Sequence, residues 1–346
     1  MDLSDFTYEL PNALIAQRPC PVRDASRMMV LHRQDRRIEH RRFLELPDYL
    51  EKGDVLVVND SRVIPARLYA RKETGGTVEV LLLKKLREAG SDTQTWEVLL
   101  RPARRAAAGQ ALSLPGGARA VIRERVSDKK WAVEFSTGTD FAAYLRRNGE
   151  APLPPYIKRR PGDTPPFHDR DRYQTVYARA DGSVAAPTAG LHFTPGTFDA
   201  LRSRGVSVAA VTLHVGYGTF LPLTAPRIED HVMEEESFEI GAKAADAINA
   251  ARRVVAVGTT ATRVLESAAD ERGRIRPTAG ATRLFIYPGY RFKRVNLLLT
   301  NFHLPASSLL LLVSAFAGRE CLLDAYRQAV EASYRFYSYG DCMLIL

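Results

Sequence analysis

The stretch DVLVVND, Asp54 to Asp60, decides the fold class. Its centre, Val55 to Val58, is apolar without interruption, whereas a strand with one wet face alternates apolar and polar residues. Such a run reads as a strand covered on both faces, the habit of a sheet sandwiched between helices. Working outward, VSVAAVTLHV (206–215), VVAVGTT (254–260), VNLLLTNF (295–302), TRLFIYP (282–288) and Met28 to His32 read as further strands. Helical patterns stand between them: FTPGTFDALRSRG (193–205) with Pro195 in its first turn, AKAADAINAARR (242–253), ATRVLESAADE (261–271) and CLLDAYRQAVEASYRF (321–336). A short helix is expected over Asn12 to Gln17. Strands alternating with helices indicate an α/β layer architecture.

The texture changes near residue 66. ARLYARKETGGTVEVLLLKKL (66–86), TWEVLLRPARR (95–105), QALSLPGGARAVIRERV (110–126) and KKWAVEFSTG (129–138) alternate apolar and polar residues between glycine turns. Short strands of this kind form a small antiparallel sheet or barrel. The expected fold is therefore an α/β main domain, residues 1–69 and 156–346, with a small antiparallel β-barrel, residues 70–155, inserted into it.

At 346 residues the chain is too long for one ordinary core, and 45% hydrophobic with 26% charged residues describes a globular protein. Three cysteines, far apart and without a C-x-x-C pair, disfavour a disulfide scaffold or zinc ribbon and fit a reducing cytoplasm. The opening MDLSDFTYELP has no apolar signal region, and SSLLLLVSAFAG (307–318) is shorter than the ~20 apolar residues of a membrane span. It reads as a buried strand or core helix. A net charge of +9 favours a polyanionic partner.

Four of the seven histidines sit at strand ends or in turns bounded by Gly or Pro: His192 in PTAGLHFTPGTF, His214 in TLHVGYGTF, His231 in IEDHVMEEES and His303 in TNFHLPASS. In open α/β sheets ligands bind beyond the carboxyl ends of the strands, which is where His214, His303 and the turn Gly258-Thr259-Thr260 belong. Gly190, Gly216 and Gly218 permit close backbone approach to a ligand, and Thr219 adds a hydroxyl. The acidic loop around His231, including Asp230 and Glu236, pairs carboxylates with an imidazole as general acid–base chemistry requires. Asp60 and Glu266 are further candidates. No spacing matches a metal site, a dinucleotide fingerprint or a G-x-S-x-G elbow. Basic and aromatic residues interleave in TRLFIYPGYRFKRVN, with Tyr290, Arg291, Lys293 and Arg294, and YIKRR adds Lys158, Arg159 and Arg160. Cations for phosphates beside rings for splayed bases are the tools of single-stranded RNA recognition.

GDVLVVNDSRVIPARL, AAPTAGLHFTPGTFDAL, VTLHVGYGTFLPL, VAVGTTATRVLES, LFIYPGYRFKRVNLLLTNFHLPASSLLLLVSAFAG and YRFYSYGDCMLI resemble, in the same order and over nearly the whole chain, the S-adenosylmethionine:tRNA ribosyltransferase-isomerase family of queuosine biosynthesis. That family usually reads Asp-His-x-Met-His-x-Glu in the acidic loop. Here Glu234 replaces the second histidine, Ala261 and Thr262 stand for a common Ser-Val, and Asn296 for a frequent aspartate. The resemblance implies that the ribosyl part of S-adenosylmethionine is moved to 7-aminomethyl-7-deazaguanine at the tRNA wobble position and rearranged, giving epoxyqueuosine, adenine and methionine. The donor is consumed, so no bound cofactor or metal is expected, and a monomer acting on tRNA suffices. The histidines above, with Asp230 and Glu236, form the acid–base pool, while the glycines, Thr219, Thr259 and Thr260 hold the donor. A methyl transferase using the same donor would want a glycine-rich loop after its first strand, which VLVVNDSR lacks. A non-catalytic RNA-binding module has no need of clustered histidines and carboxylates.

Overall fold

Alternate residues of Asp54–Asn59 feed two different cores. Val55 and Val57 pack into one buried cluster and Leu56 and Val58 into another on the opposite face. The same division recurs in Arg253–Val257, Leu297–Asn301, Cys342–Ile345 and Arg27–His32. Every one of these strands is therefore wet on neither face, which explains their uninterrupted apolar runs. The computed structural model describes all residues except 105, 160–167, 221, 222, 224 and 226, and only the backbone of Thr219 and Phe220.

The strands form a nine-stranded mixed sheet. Ser207–Leu213, Asp54–Asn59, Arg253–Val257 and Leu297–Asn301 run parallel in that order. Glu236–Ile240 and Thr278–Thr282 extend one side antiparallel, and Cys342–Ile345, Arg27–His32 and Arg37–Arg42 complete the other. Residues 307–318 settle as a core helix, Ser308–Ala317, with the Ser307 side chain accepting from Leu310 N–H. Pro195–Ser203 is capped by Thr194 in the same manner.

Six antiparallel strands between Arg67 and Ser136 close into a barrel. The helix Phe141–Asn148 seals it, burying Phe141, Tyr144 and Leu145 in the barrel core. The α/β sheet with an inserted antiparallel barrel is thus the observed architecture, and the first barrel strand begins at Arg67.

Two local expectations fail. Asn12 to Gln17 forms only a 3-10 turn, Asn12–Leu14, after which Ile15 bridges to Phe336. TRLFIYP leaves the sheet after Thr282: Leu284 N–H donates to the Thr282 hydroxyl and Arg263 Nε to the Leu284 carbonyl. Side chains satisfy this backbone where a ladder was expected, and Ile286 turns into the core.

Asp54, fully buried, opens the central strand and takes two Arg253 nitrogens, Nε at 2.9 Å and Nη2 at 2.6 Å, plus Glu51 N–H at 2.8 Å. Asp54→Ala leaves those donors without their acceptor, and we expect a loss of about 3 kcal/mol of unfolding free energy. Urea denaturation measures it; a loss below ~1 kcal/mol, the level of an exposed pair, removes this anchor from the account.

Candidate functional site

Strand direction brings one set of termini together. The carboxyl ends at Asn59, Leu213, Val257 and Asn301 share an edge with the start of Glu236–Ile240, because that strand runs antiparallel to its neighbour. Between this edge and the barrel lies a cavity of about 1320 Å³. His214, Gly216, Glu234, Glu235 and Glu236 line it from the sheet, and Trp96 and Lys130 from the barrel.

His214 is the first residue beyond its strand. Its N–H donates to the Ser237 carbonyl at 3.0 Å, which pins the backbone. The ring lies on Gly182, whose φ of +144° and bare Cα make room: a Cβ there would fall 2.7 Å from His214 Nδ1. Nδ1 is buried and has no hydrogen-bond partner among the described residues. Desolvation lowers the imidazole's pKa, opposed by Asp60, Asp181 and Glu239, so the net direction is down. A neutral ring facing a cavity is a proton acceptor.

The glycines beside it serve the protein's own carboxylates. Gly216 N–H donates to Glu236 Oε1 at 2.8 Å, and Glu236 Oε2 is held by Arg263 Nη1. A Cβ on Gly218 would sit 2.7 Å from Glu234 Oε2. Glu234, standing where the resembled family has histidine, pairs with Lys130 of the barrel at 2.6 Å. Tyr217, between the two glycines, packs on the barrel core and accepts from Arg101 at 3.1 Å. The turn VGYG is thus a joint between sheet and barrel, clamped by two carboxylates.

Other expected residues lie elsewhere. His192 is buried between Ser26 Oγ at 2.7 Å and Asn301 Nδ2 at 3.3 Å, and Phe43 lies against its ring. His303 is buried with Nε2 2.7 Å from the Thr300 hydroxyl. Burial holds both pKa values down to about 3, and neither residue lines the cavity. Gly190 leaves room for Tyr177, whose hydroxyl oxygen would meet a Cβ at 2.0 Å. His231 packs edge-on against Phe285, and Asp230 is exposed on the same loop. Asp60 is spent on Thr212 and Arg179. Gly258, Thr259 and Thr260 open the helix Gly258–Ala268, and the two threonines line a small neighbouring cavity. Arg160 and the Thr219 side chain lie outside the described residues.

The basic-aromatic cluster is separated from the cavity. Tyr290 to Arg294 precede Leu297–Asn301, so they lie near its amino end, opposite the cavity edge. Buried Glu266 organises them, accepting from Tyr290 Oη at 3.2 Å and from Lys293, Arg294 and Val295 N–H at 2.7–3.0 Å. Lys293 Nζ pairs with Glu271, Arg294 donates to the Ile248 carbonyl, and Arg291 is exposed. Arg159 forks onto Asp169, while Lys158 is exposed. The cations that do line the cavity include Lys84 and Arg146, both exposed. The sequence carried one signal for them: in TVEVLLLKKL an apolar strand turns basic before it ends. Among the described residues no three His, Cys, Asp or Glu side chains gather as metal ligands, and no helix is long and apolar enough to cross a membrane.

Residues 3–345 match the model of a family described as queuosine biosynthesis protein. The chain is 54% identical over 361 residues to the S-adenosylmethionine:tRNA ribosyltransferase-isomerase of Syntrophus aciditrophicus, and 52% identical over 356 residues to that of Moorella thermoacetica; each match covers all of both chains. A crystal structure of S-adenosylmethionine tRNA ribosyltransferase from Thermotoga maritima is similar with a TM-score of 0.55 and 38% identity, over 99% of this chain and 100% of that one.

The buried histidines predict acid lability. Unfolding frees both rings to titrate at the usual histidine value of 6.5, while the folded rings stay neutral down to about 3. Between those values the unfolded chain binds more protons, so stability falls as pH drops. Each histidine should cost roughly 2 kcal/mol between pH 6.5 and 5. Urea midpoints across this range test it, and His303→Gln should flatten the slope; an unchanged slope in that variant means His303 is not the group being titrated.

Proposed function

The chain belongs to the queuosine biosynthesis protein family, and we infer that it transfers and isomerises the ribosyl group of S-adenosylmethionine onto 7-aminomethyl-7-deazaguanine in tRNA. Adenine and methionine leave, and epoxyqueuosine remains in the RNA. The observation that carries the assignment of chemistry to a place is the cavity between sheet edge and barrel, where a neutral His214 faces three glutamates inside a cationic rim.

The sulfonium acidifies the C5′ protons of the donor, and a base must take one. The aminomethyl group of the acceptor must shed a proton before its nitrogen attacks, and departing adenine must gain one. We assign the first base to His214, whose pKa is pulled down by burial, so that the ring is unprotonated at neutral pH. Glu234 and Glu235 supply carboxylates for the ammonium group of the acceptor or the amino group of the donor. Glu236 has a positioning role: it holds Gly216 in place and is itself held by Arg263. His231 and Asp230 stay in the proposal as groups on the loop that carries these glutamates.

For the RNA we favour the cavity rim, with Lys84 and Arg146, over the cluster from Tyr290 to Arg294 at the other end of the sheet. The rim cations stand beside the proposed chemistry, so a wobble base inserted there leaves its neighbouring phosphates within their reach. We propose that a monomer acts, in the cytoplasm where its tRNA is found. The donor is the one small molecule required.

His214→Ala should lower adenine release at least a hundredfold. The acid limb of the wild-type pH profile should lie below the usual histidine value near 6.5. Full turnover in that variant removes His214 from the mechanism. For the RNA surface, tRNA affinity is read across salt concentration. Lys84→Ala and Arg146→Ala should each reduce the slope of log K against log salt by about 1, and Arg291→Ala should leave it unchanged. The reverse pattern moves the RNA to the far end of the sheet.

A further inference from the structure

Beside the large cavity lies a second one, no larger than a water molecule, at the start of the helix Gly258–Ala268. Met233 borders both cavities. Two donors in this small space are unspent. Thr260, 8% exposed, has a buried hydroxyl with no hydrogen-bond partner, and Arg263, 5% exposed, has a buried Nη2 in the same condition among the described residues. The other nitrogens of Arg263 are committed, Nη1 to Glu236 and Nε to the Leu284 carbonyl at 3.0 Å. The guanidinium is therefore fixed in orientation, with Nη2 left over beside the small cavity.

The surroundings favour a negative ligand. Residues of two helices meet here: Thr259 and Thr260 open one, and Ser308 and Leu309 open Ser308–Ala317. The first helix has no side-chain cap at Val257, so its leading N–H groups are not satisfied in that way, and both dipoles present their positive ends. Among the described residues the lining contains no Asp or Glu. An orphan hydroxyl, an orphan guanidinium N–H and two helix starts, walled by Leu284, Phe285 and Leu312, form a receptor for a small anion.

We propose that Arg263 and Thr260 form the subsite for the α-carboxylate of the methionine portion of the donor. This rests on the reading that the protein acts on S-adenosylmethionine. That molecule carries one anionic group, and it lies at the end of a chain away from the sulfonium and ribose. The space admits a carboxylate oxygen but not the three oxygens of a phosphate held on an RNA backbone. Met233 forms the partition, and its unbranched thioether can swing aside without displacing backbone. With the carboxylate behind Met233, the sulfonium falls on the side of Glu236 and His214, because Arg263 joins the two cavities through its bond to Glu236. Arg263 thus has two tasks: it steadies Glu236 and it reads the carboxylate.

The test compares two unreactive ligands that differ in the amino-acid tail: S-adenosylhomocysteine, which has the carboxylate, and 5′-methylthioadenosine, which does not. Calorimetry measures their binding to the full chain saturated with substrate tRNA. Thr260→Val should weaken S-adenosylhomocysteine about tenfold, as loss of a charge-assisted hydrogen bond does, and leave 5′-methylthioadenosine unchanged. Thr260→Ser retains the hydroxyl and should bind both as the wild type does. Arg263→Lys keeps the charge beside Glu236 but loses the directed N–H, and should repeat the selective loss. Equal effects of Thr260→Val on both ligands, or no effect on either, overturn the carboxylate subsite while leaving the donor assignment standing. If the wild type binds neither ligand, the donor assignment fails and the subsite falls with it.

Discussion

The carboxylate of Glu236 is buried against the guanidinium of Arg263, and the edge of the sheet at which the cavity opens is built around that pair. Glu236 begins an antiparallel strand one in from the edge of the sheet, and Arg263 lies on the helix that follows a central parallel strand. Their contact fixes the separation of those two elements. Through its other oxygen Glu236 also fixes Gly216, and through Nε Arg263 fixes the carbonyl of Leu284, where the chain leaves the sheet. A buried ion pair is weak evidence of net stability, since desolvation offsets most of the attraction. Removing one partner, however, leaves an uncompensated charge and costs about 3–5 kcal/mol. The pair therefore acts as a ruler: other spacings of strand, helix and turn leave one of the two charges stranded.

Polarity of the strands then sorts the histidines. A residue just past the carboxyl end of a strand is near the cavity edge, yet nearness does not expose it. His214 precedes a turn that bends away to the barrel, so its ring stays only half-covered. His303 is followed by LPASS and the apolar helix Ser308–Ala317, which carries the chain into the core, and the imidazole is enclosed. His192 sits in a 3-10 turn wedged beneath Phe43. The enclosed rings are hydrogen-bonded and their pKa values held down to about 3. The half-covered ring keeps a nitrogen with no partner among the described residues, which is the feature its proposed role as a base rests on. Desolvation is the common cause, and the depth of burial separates the outcomes.

Fold class was legible because burial on both faces writes itself into sequence as an uninterrupted apolar run, and burial on one face as alternation. Both textures, and the passage between them near residue 66, are local. TRLFIYP misled because its alternation is real while its partners are side chains of Arg263 and Thr282, which no local pattern encodes. The position of the YPGYRFKR cluster was in fact deducible: a segment that precedes a parallel strand lies at the amino end of the sheet, away from residues that follow its neighbours. The residue types suggested RNA, and the topology puts the cluster at the end of the sheet away from the cavity. The barrel's contribution to the site was not legible at all. Lys130 and Trp96 lie far in sequence from His214, and only closure of the barrel against the sheet brings them into one cavity.

Lys130 shows how tightly that closure is specified. Its ammonium lies 2.6 Å from Glu234 and 3.1 Å from Glu97. Burial alone pulls its pKa down, but the two carboxylates outweigh that effect and the net direction is upward, so the charge is retained. Glycine at 218 leaves room for that carboxylate: a Cβ there would fall 2.7 Å from Glu234 Oε2, and the glutamate would have to shift. Glycine at 218, glutamate at 234 and lysine at 130 are consequently one arrangement distributed over three segments. A neutral histidine at 234 would give Lys130 no anionic partner on the loop, leaving Glu97, on the barrel itself, to hold the charge. The substitution seen here therefore adds an electrostatic tie between loop and barrel, on the loop whose acidic residues Glu234 to Glu236 line the cavity.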